Sequence, residues 1–403
     1  MKLRPKRRML TLSLGGALLL LVASNAQAGW LYVVSAAMFG IAIAGALMPA
    51  LHLRGLRFER ELPQTVRVGD ALRVTLRVAA GRGWSRGPLF GRDLLTDSEV
   101  VIDRVSSRSH GLIRYDFVPQ RRGHFSGGQI EMTTGAPFGV VEATRRWEVP
   151  SELLVHPRWV QVGNLPLLES ASVPDEDMHD RSRRGEGLEV FGLRDYRRGD
   201  SVRHIHWRSS ARGGGLLVRE YEQPPSSRLV ILIDSHEDIG TGADSTFEVS
   251  VSIAASIAMY GLDVGHPIEM VCGGSPEGRL VEPGKLAALD WLAKLEGGVG
   301  RPLSDLVMTA DLHTLRRSTA VLIFPLTVAA ERDVGSAVSA LQEAGARVLA
   351  MAVSARAAGA AHASLGAHDA AELLTRLRQS RAIVYGIDPS RELTDCLREP
   401  LHV

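Results

Sequence analysis

Between Met9 and Leu53 the chain has no Asp, Glu, Lys or Arg, and no acidic residue occurs before Glu59. Lysine is scarce throughout: Lys2, Lys6, Lys285 and Lys294 are the only four, so nearly all positive charge is arginine. The two cysteines, Cys272 and Cys396, form no C-x-x-C pair and no disulfide framework, which suits a reducing compartment. A Walker A loop and an H-E-x-x-H helix are also missing, which removes the common signatures of a nucleotide hydrolase and a zinc protease. A formal charge of +2 over 403 residues argues against bulk electrostatic binding of nucleic acid.

The uncharged stretch is long enough for two membrane-crossing helices of about twenty residues each. One is expected from Met9 to about Ser24 and the other from Trp30 to about Leu51, with Asn25, Gln27 and Gly29 supplying the turn. Lys2, Arg4, Lys6, Arg7 and Arg8 precede the pair, and Arg54, Arg57 and Arg60 follow it. Basic residues on both flanks place both on the cytoplasmic side. The expected location is therefore a bacterial inner membrane with the soluble part in the cytoplasm. Ala26-Gln27-Ala28 after a basic and then an apolar run also resembles a cleavable signal. Cleavage there would still leave the second helix embedded.

From Phe58 to about Trp159 the pattern is short and extended. Val66, Val68, Leu72, Val74, Leu76 and Val78 alternate with polar residues at period two, and Gly69-Asp70 between them reads as a hairpin turn. Further strands are expected at 100–105, 112–118, 129–133 and 140–149, punctuated by Gly, Pro, Ser and Asp. Regular short strands of this kind predict an antiparallel β-sandwich of roughly immunoglobulin size.

After Leu229 the period changes. Leu229–Ile233 reads as a buried central strand, and Ser245-Thr-Phe-Glu248 as a capping box opening a helix. Strands at 268–271, 320–324, 347–353 and 382–385 alternate with helices at 334–341 and 370–377 and with a Leu286, Leu289, Leu292, Leu295 stripe. That alternation predicts a parallel sheet covered on both faces. The expected division is 1–54 transmembrane hairpin, 55–160 β-sandwich, 161–228 Arg-rich connector and 229–403 α/β domain.

The connector holds the least ordinary chemistry. Seven arginines fall between Arg194 and Arg219, against the nearby carboxylates of Asp195 and Asp200. In one reading Leu193, Ile205 and Trp207 anchor a linking segment, Asp200 caps a short helix, and the charges pair among themselves. In the other the arginines dock a partner through carboxylate or phosphate groups. The candidate interaction residues are Arg194, Asp195, Tyr196, Arg197, Arg198, Gly199, Asp200, His206, Trp207, Arg208, Arg212 and Arg219. His204 and His206 would need a third ligand to hold a metal, and none is evident in the sequence.

Glu189, Gly192–Asp200, His206-Trp207, Ala211-Arg212 and Arg219-Glu-Tyr221 together resemble the signature of the bacterial domain-of-unknown-function-58 family. Arg121-Arg-Gly123, Pro137-Phe-Gly139 and Val155-His-Pro-Arg158 resemble its second marker, with Ala136 where many members carry Asp. The resemblance implies a von Willebrand factor A-like C-terminal domain of Rossmann-like type. Such domains often hold a metal on Asp-x-Ser-x-Ser, and here Asp234 matches while His236 and Asp238 replace the serines. Phe324-Pro-Leu-Thr327 lacks the later Asp-Gly, so no metal and no cofactor are expected. The resemblance further implies a non-enzymatic adaptor that works with a MoxR-type AAA+ ATPase on proteins at or near the membrane. The alternatives are an anionic-ligand binder, taking lipid headgroups or nucleic acid on the Arg-rich segment, and a hydrolase.

Overall fold

Pairing of the first residues with a strand late in the sandwich organises the N-terminal unit. The computed structural model describes residues 1–81, 85–106, 111–163, 190–196, 205–213, 216–221, 228–309, 315, 318–355 and 364–398. These divide into two compact units, Met1–His156 and Pro157–Val403.

In the first unit a short strand β1 (Lys2–Pro5) leads into helices α1 (Arg7–Ala26) and α2 (Gly29–His52). Gln27, at φ 50°, makes the left-handed turn between them. Small residues let the helices approach: Gly16 sits against Phe39, and the Ser35 hydroxyl donates to the Gly16 carbonyl at 2.7 Å. Among the described residues three helices are long and apolar enough to cross a membrane, and burial separates them. Only 11% and 22% of the apolar windows of α1 and α2 are buried, against 61% for Thr246–Val264, which is a core helix. Leu10, Leu14, Leu18 and Leu21 form an exposed stripe on α1, as Val33, Ile43, Leu47 and Leu51 are exposed on α2.

The sandwich follows: β2 (Leu56–Glu61), β3 (Thr65–Arg67), β4 (Leu72–Ala80), β5 (Leu89–Asp93), β6 (Ser98–Ile102), β7 (Gly111–Phe117), β8 (Gly123–Thr134) and β9 (Val141–His156). One sheet runs β1-β9-β8-β5-β6, with β3 also on β9; the other is β2-β4-β7. Phe58, Leu76 and Val78 from the small sheet meet Leu89, Val100, Ile130 and Met132 from the large one in a shared core. The Gly69-Asp70 hairpin expectation is corrected. Gly69 does turn the chain, at φ 87°, but β3 pairs in parallel with β9 while β4 joins the other sheet. Strand β9 is long enough to carry β8 on one edge and both β1 and β3 on the other.

The pairing of β1 with β9 (Lys2↔Thr144 to Pro5↔Val141) puts the residues before α1 at the same end of the hairpin as the sandwich. With the orientation that the basic flanks imply, a C-terminal reporter active only in the periplasm should be silent in cells, and one active only in the cytoplasm should be active. Periplasmic activity would reverse the orientation inferred from the basic flanks.

In the second unit β10 (Val190–Asp195), α3 (Trp207–Gly213) and β11 (Leu217–Tyr221) precede the mixed sheet. That sheet contains β12 (Leu229–Ile233), β13 (Ile268–Cys272), β14 (Arg279–Val281), β15 (Thr319–Pro325), β16 (Arg347–Val353) and β17 (Ile383–Ile387). Its order is β14-β13-β12-β15-β16-β17, parallel throughout except for the antiparallel edge strand β14. The helices after α3 among the described residues include α4 (Thr246–Val264), α5 (Lys285–Ala293), α6 (Leu303–Thr309), α7 (Val328–Glu343), α8 (Ala367–Gln379) and α9 (Leu393–Arg398).

Alternate residues of β12 feed two cores: Leu229, Ile231 and Ile233 pack with α4 and α5, whereas Val230 and Leu232 pack with α6, α7 and α8. Both faces are thus covered, which is why this strand reads as continuously apolar. Ser245 caps α4 by accepting from the Glu248 amide at 3.2 Å, and Thr327 caps α7 by accepting from the Ala330 amide at 3.1 Å. The expected leucine stripe holds only in part: Leu292 and Leu295 are buried while Leu286 is exposed. A spacing of three falls short of the helical repeat and walks off the buried face.

Candidate functional site

Two places concentrate polar chemistry in the second unit. The first is the β10–α3–β11 segment. Its strands pair antiparallel, with Arg194 opposite Val218 and Asp195 opposite Leu217. Beyond the strand ends, the Tyr196 amide donates to the Leu216 carbonyl and the His206 amide to the Leu217 carbonyl, both at 2.8 Å. Helix α3 begins on His206: the ring Nδ1 accepts from the Ser209 amide at 3.2 Å and lies 2.8 Å from the Ser209 hydroxyl. The Ser210 hydroxyl donates to the His206 carbonyl at 3.0 Å and accepts from the Leu217 amide at 2.9 Å, which ties helix to strand.

Burial then assigns the anchor. Ile205 is 6% exposed, whereas Trp207 is 60% exposed and Arg208 beside it is also exposed. This reverses the packing expectation for Trp207: Ile205 is the buried residue, and the indole faces solvent. His206 caps the described helix from its own side chain. Asp200, with Arg197, Arg198, Gly199 and His204, lies outside the described residues. Arg194, Asp195, Arg212 and Arg219 are placed by their backbone on β10, α3 and β11.

The second place is the crevice where the sheet's connections change direction, between the C-terminal ends of β12 and β15. Open α/β sheets favour ligand binding at such points. Asp234 leaves β12 there, its amide donating to the Ile323 carbonyl at 2.9 Å and its carboxylate accepting from the His236 amide at 2.9 Å. It is 5% exposed. Burial pushes its carboxyl up to about 6 against the opposing amide of His236, with Asp333 and Glu237 adding like charge.

The substitutions at the serine positions have local roles. Asp238 accepts from the Phe247 amide at 3.0 Å and the Thr246 hydroxyl at 3.3 Å, so it braces the start of α4. The His236 ring Nδ1 lies 3.4 Å from the Gly300 carbonyl. Thr327, where the later Asp-Gly is missing, caps α7. Among the described residues no group of three or more His, Cys, Asp or Glu is arranged to hold a metal ion.

Sequence reasoning missed the buried Ser235 hydroxyl and Glu237 Oε2, neither of which has a hydrogen-bond partner among the described residues, and the influence of Asp333 on Asp234. It also missed that Gly83-Trp-Ser-Arg-Gly87 spells G-x-S-x-G. In the chain that pattern falls between strands β4 and β5, and its Gly83 and Trp84 lie outside the described residues.

Residues 192–295 match a family model described as "Protein of unknown function DUF58". The resemblance read from the signature is a DUF58 match. It runs from β10 past Asp234 to the end of α5, so the β10–α3–β11 segment and Asp234 fall within it, while β15, Gly300, Thr327 and Asp333 lie beyond it. The chain is also 23% identical over 225 residues to "Uncharacterized protein YeaD" of Bacillus subtilis, covering 52% of this chain and 54% of that protein. The chain thus spans about half the length of the curated relative it matches. Among solved structures, the CARDB domain of PF1109 from Pyrococcus furiosus, in solution, gives 15% identity and a TM-score of 0.20, covering 25% of this chain and 94% of that one. The crystal structure of that domain in complex with di-metal ions gives 15% identity and a TM-score of 0.18, covering 25% and 86%. Scores this low carry no argument about fold or metal.

Proposed function

We propose that this chain is a membrane-tethered, non-enzymatic docking protein whose DUF58 segment receives a protein partner through the β10–α3–β11 surface. The partner implied by the family resemblance is a MoxR-type AAA+ ATPase acting on proteins at or near the membrane. The setting is a bacterial inner membrane, with the sandwich and the α/β domain in the cytoplasm. We read the α/β domain as von Willebrand factor A-like; five parallel strands with one antiparallel edge strand support that reading.

The observation that carries the docking proposal is the outward Trp207 beside Arg208 on a helix held from beneath by Ile205. Trp and Arg, with Tyr, are the residues enriched among interface hot spots. The absent Walker A and zinc-helix motifs support a non-enzymatic role.

Trp207→Ala and Arg208→Ala in the detergent-solubilised full chain should each leave stability within about 0.5 kcal/mol of the parent. Each should weaken capture of the partner ATPase by about 2 kcal/mol or more. Thermal unfolding and pull-down on the same preparations check this. Normal capture by both variants would refute the docking surface, and early melting by both would make the segment scaffold. A salt titration separates this reading from polyanion binding, which would fall steeply as salt rises.

A further inference from the structure

The hairpin does not end where the sandwich begins. The Lys6 amide donates to the Val140 carbonyl at 2.9 Å, holding the start of α1 against the turn between β8 and β9. On the other helix Gly45 lies against Val140 and Phe138, close enough that an added Cβ would come within 2.9 Å of the Val140 side chain. Gly139 faces Arg8. Arg8, Gly45 and the Phe138–Val140 turn therefore share one level along the hairpin. From Gly45 to the end of α2 at His52 the helix climbs a further ~10 Å at its standard rise. Over that distance Leu47 and Leu51 remain exposed, while Leu53 and Leu56 are buried in the sandwich.

This layer is chemically mixed. Phe138 is exposed in the turn, and Leu3 on β1. Lys2, Arg4, Arg7, Arg8, Arg54 and Arg57 are exposed around them. Of the nearby acids among the described residues, Glu142 pairs with Lys6 at 2.5 Å and Glu61 with Arg77 at 2.9 Å, and the exposed Glu59 and Asp103 are outnumbered by these cations. Exposed apolar side chains interleaved with unmatched cations, next to two apolar helices, suit the zone where acyl chains give way to phosphates.

We propose that this rim of the sandwich, comprising β1, the 135–140 turn and the start of β2, is sunk in the lipid headgroup layer and binds anionic phospholipid. Phe138 reaches the acyl boundary, and Arg4, Arg7, Arg8, Arg54 and Arg57 take the phosphates. Strand β1 fixes the depth, because its pairing with β9 makes the cations part of the sandwich instead of a loose tail. The proposal rests on the membrane reading of α1 and α2, which the experiment tests separately.

The full chain is reconstituted in bilayer discs of phosphatidylcholine, with and without phosphatidylglycerol. A spin label at Leu14→Cys reports whether α1 is embedded; a water-accessible label there would overturn the membrane reading itself. A label at Phe138→Cys should be more accessible to oxygen than to an aqueous nickel chelate, and an aqueous profile would overturn the inference. The native Cys272 and Cys396 are buried and do not compete for the label. Phosphatidylglycerol retained with the protein on extraction, measured by mass spectrometry, should be enriched. Enrichment should fall about five-fold for each of Arg4→Gln and Arg57→Gln and persist in Arg4→Lys and Arg57→Lys. Equal enrichment in the Gln variants would also overturn the inference.

Discussion

Asp93→Ala is expected to destabilise the sandwich by about 3–5 kcal/mol, the usual cost of stranding a buried charge. Arg60 on β2 and Asp93 on β5 are both fully buried and lie in different sheets. The guanidinium donates through Nε at 2.8 Å and through a terminal nitrogen at 2.6 Å, a bidentate pair. Its remaining nitrogen reaches the Val149 carbonyl at 3.3 Å and the Ser151 hydroxyl at 3.1 Å on β9. Asp93 also accepts from the Tyr115 hydroxyl at 2.6 Å and the Leu95 amide at 3.0 Å. Burial and the bond to Asp93 raise the Tyr115 hydroxyl's pKa.

Every charge in this clamp is satisfied, so removing one partner is worse than removing both. Asp93→Leu combined with Arg60→Met should recover much of the loss from either single change. Denaturant unfolding of the three variants, read as a double-mutant cycle, checks this. Additive losses would mean that the two side chains do not act as a unit.

Asp234→Asn should stabilise the chain near neutral pH and have almost no effect near pH 3.5. Burial pushes the folded carboxyl up to about 6, above the 3.8 of an ordinary aspartate. A carboxyl with a raised pKa binds its proton more tightly when folded. Its charge is therefore a penalty that is absent below the unfolded pKa, grows between the two values and is complete above 6. A displacement of that size corresponds to a penalty on the order of 3 kcal/mol. Asparagine keeps an oxygen to accept from the His236 amide while carrying no charge. Melting curves of parent and variant across that pH range should diverge as pH rises. A constant gap between them would show that Asp234 is ionised in the fold without cost.

Why a sequence retains so disfavoured a carboxylate is a question about function, since perturbed carboxyls cluster at binding sites. Asp234 and its place at the end of a central strand were legible from one apolar run ending in Asp. The burial that perturbs it was not, because Asp333 and the loop through Gly300 come from later in the chain.

The same division runs through the rest of the molecule. The apolar helices and the central strands were legible because each carries its own hydrophobic pattern. Strand β1 was not, because Lys2-Leu-Arg-Pro5 has no strand-like alternation and exists as a strand only through its partner on β9. The β3–β4 pair was misread for a related reason. Alternation at period two fixes which face is buried but not which sheet receives the strand, and here Gly69 sends the two to different sheets. Glu269 is a further case: a fully buried carboxylate in central strand β13 lies 2.6 Å from Arg279 Nε, as an ion pair without hydrogen-bond alignment. Trp207 failed in the opposite direction. An aromatic in a charged segment is expected to be an anchor, yet Ile205 takes that place.

The outward indole gives the most direct test of the account. A photo-crosslinking amino acid placed at position 207 of the full-length protein, in its native membrane, samples whatever docks on α3. Irradiation should give one dominant adduct containing the MoxR-type ATPase, and the same group placed at the exposed position Leu112 on the sandwich should not. An adduct pattern indistinguishable between the two positions, or none with the ATPase, would contradict the proposed docking role.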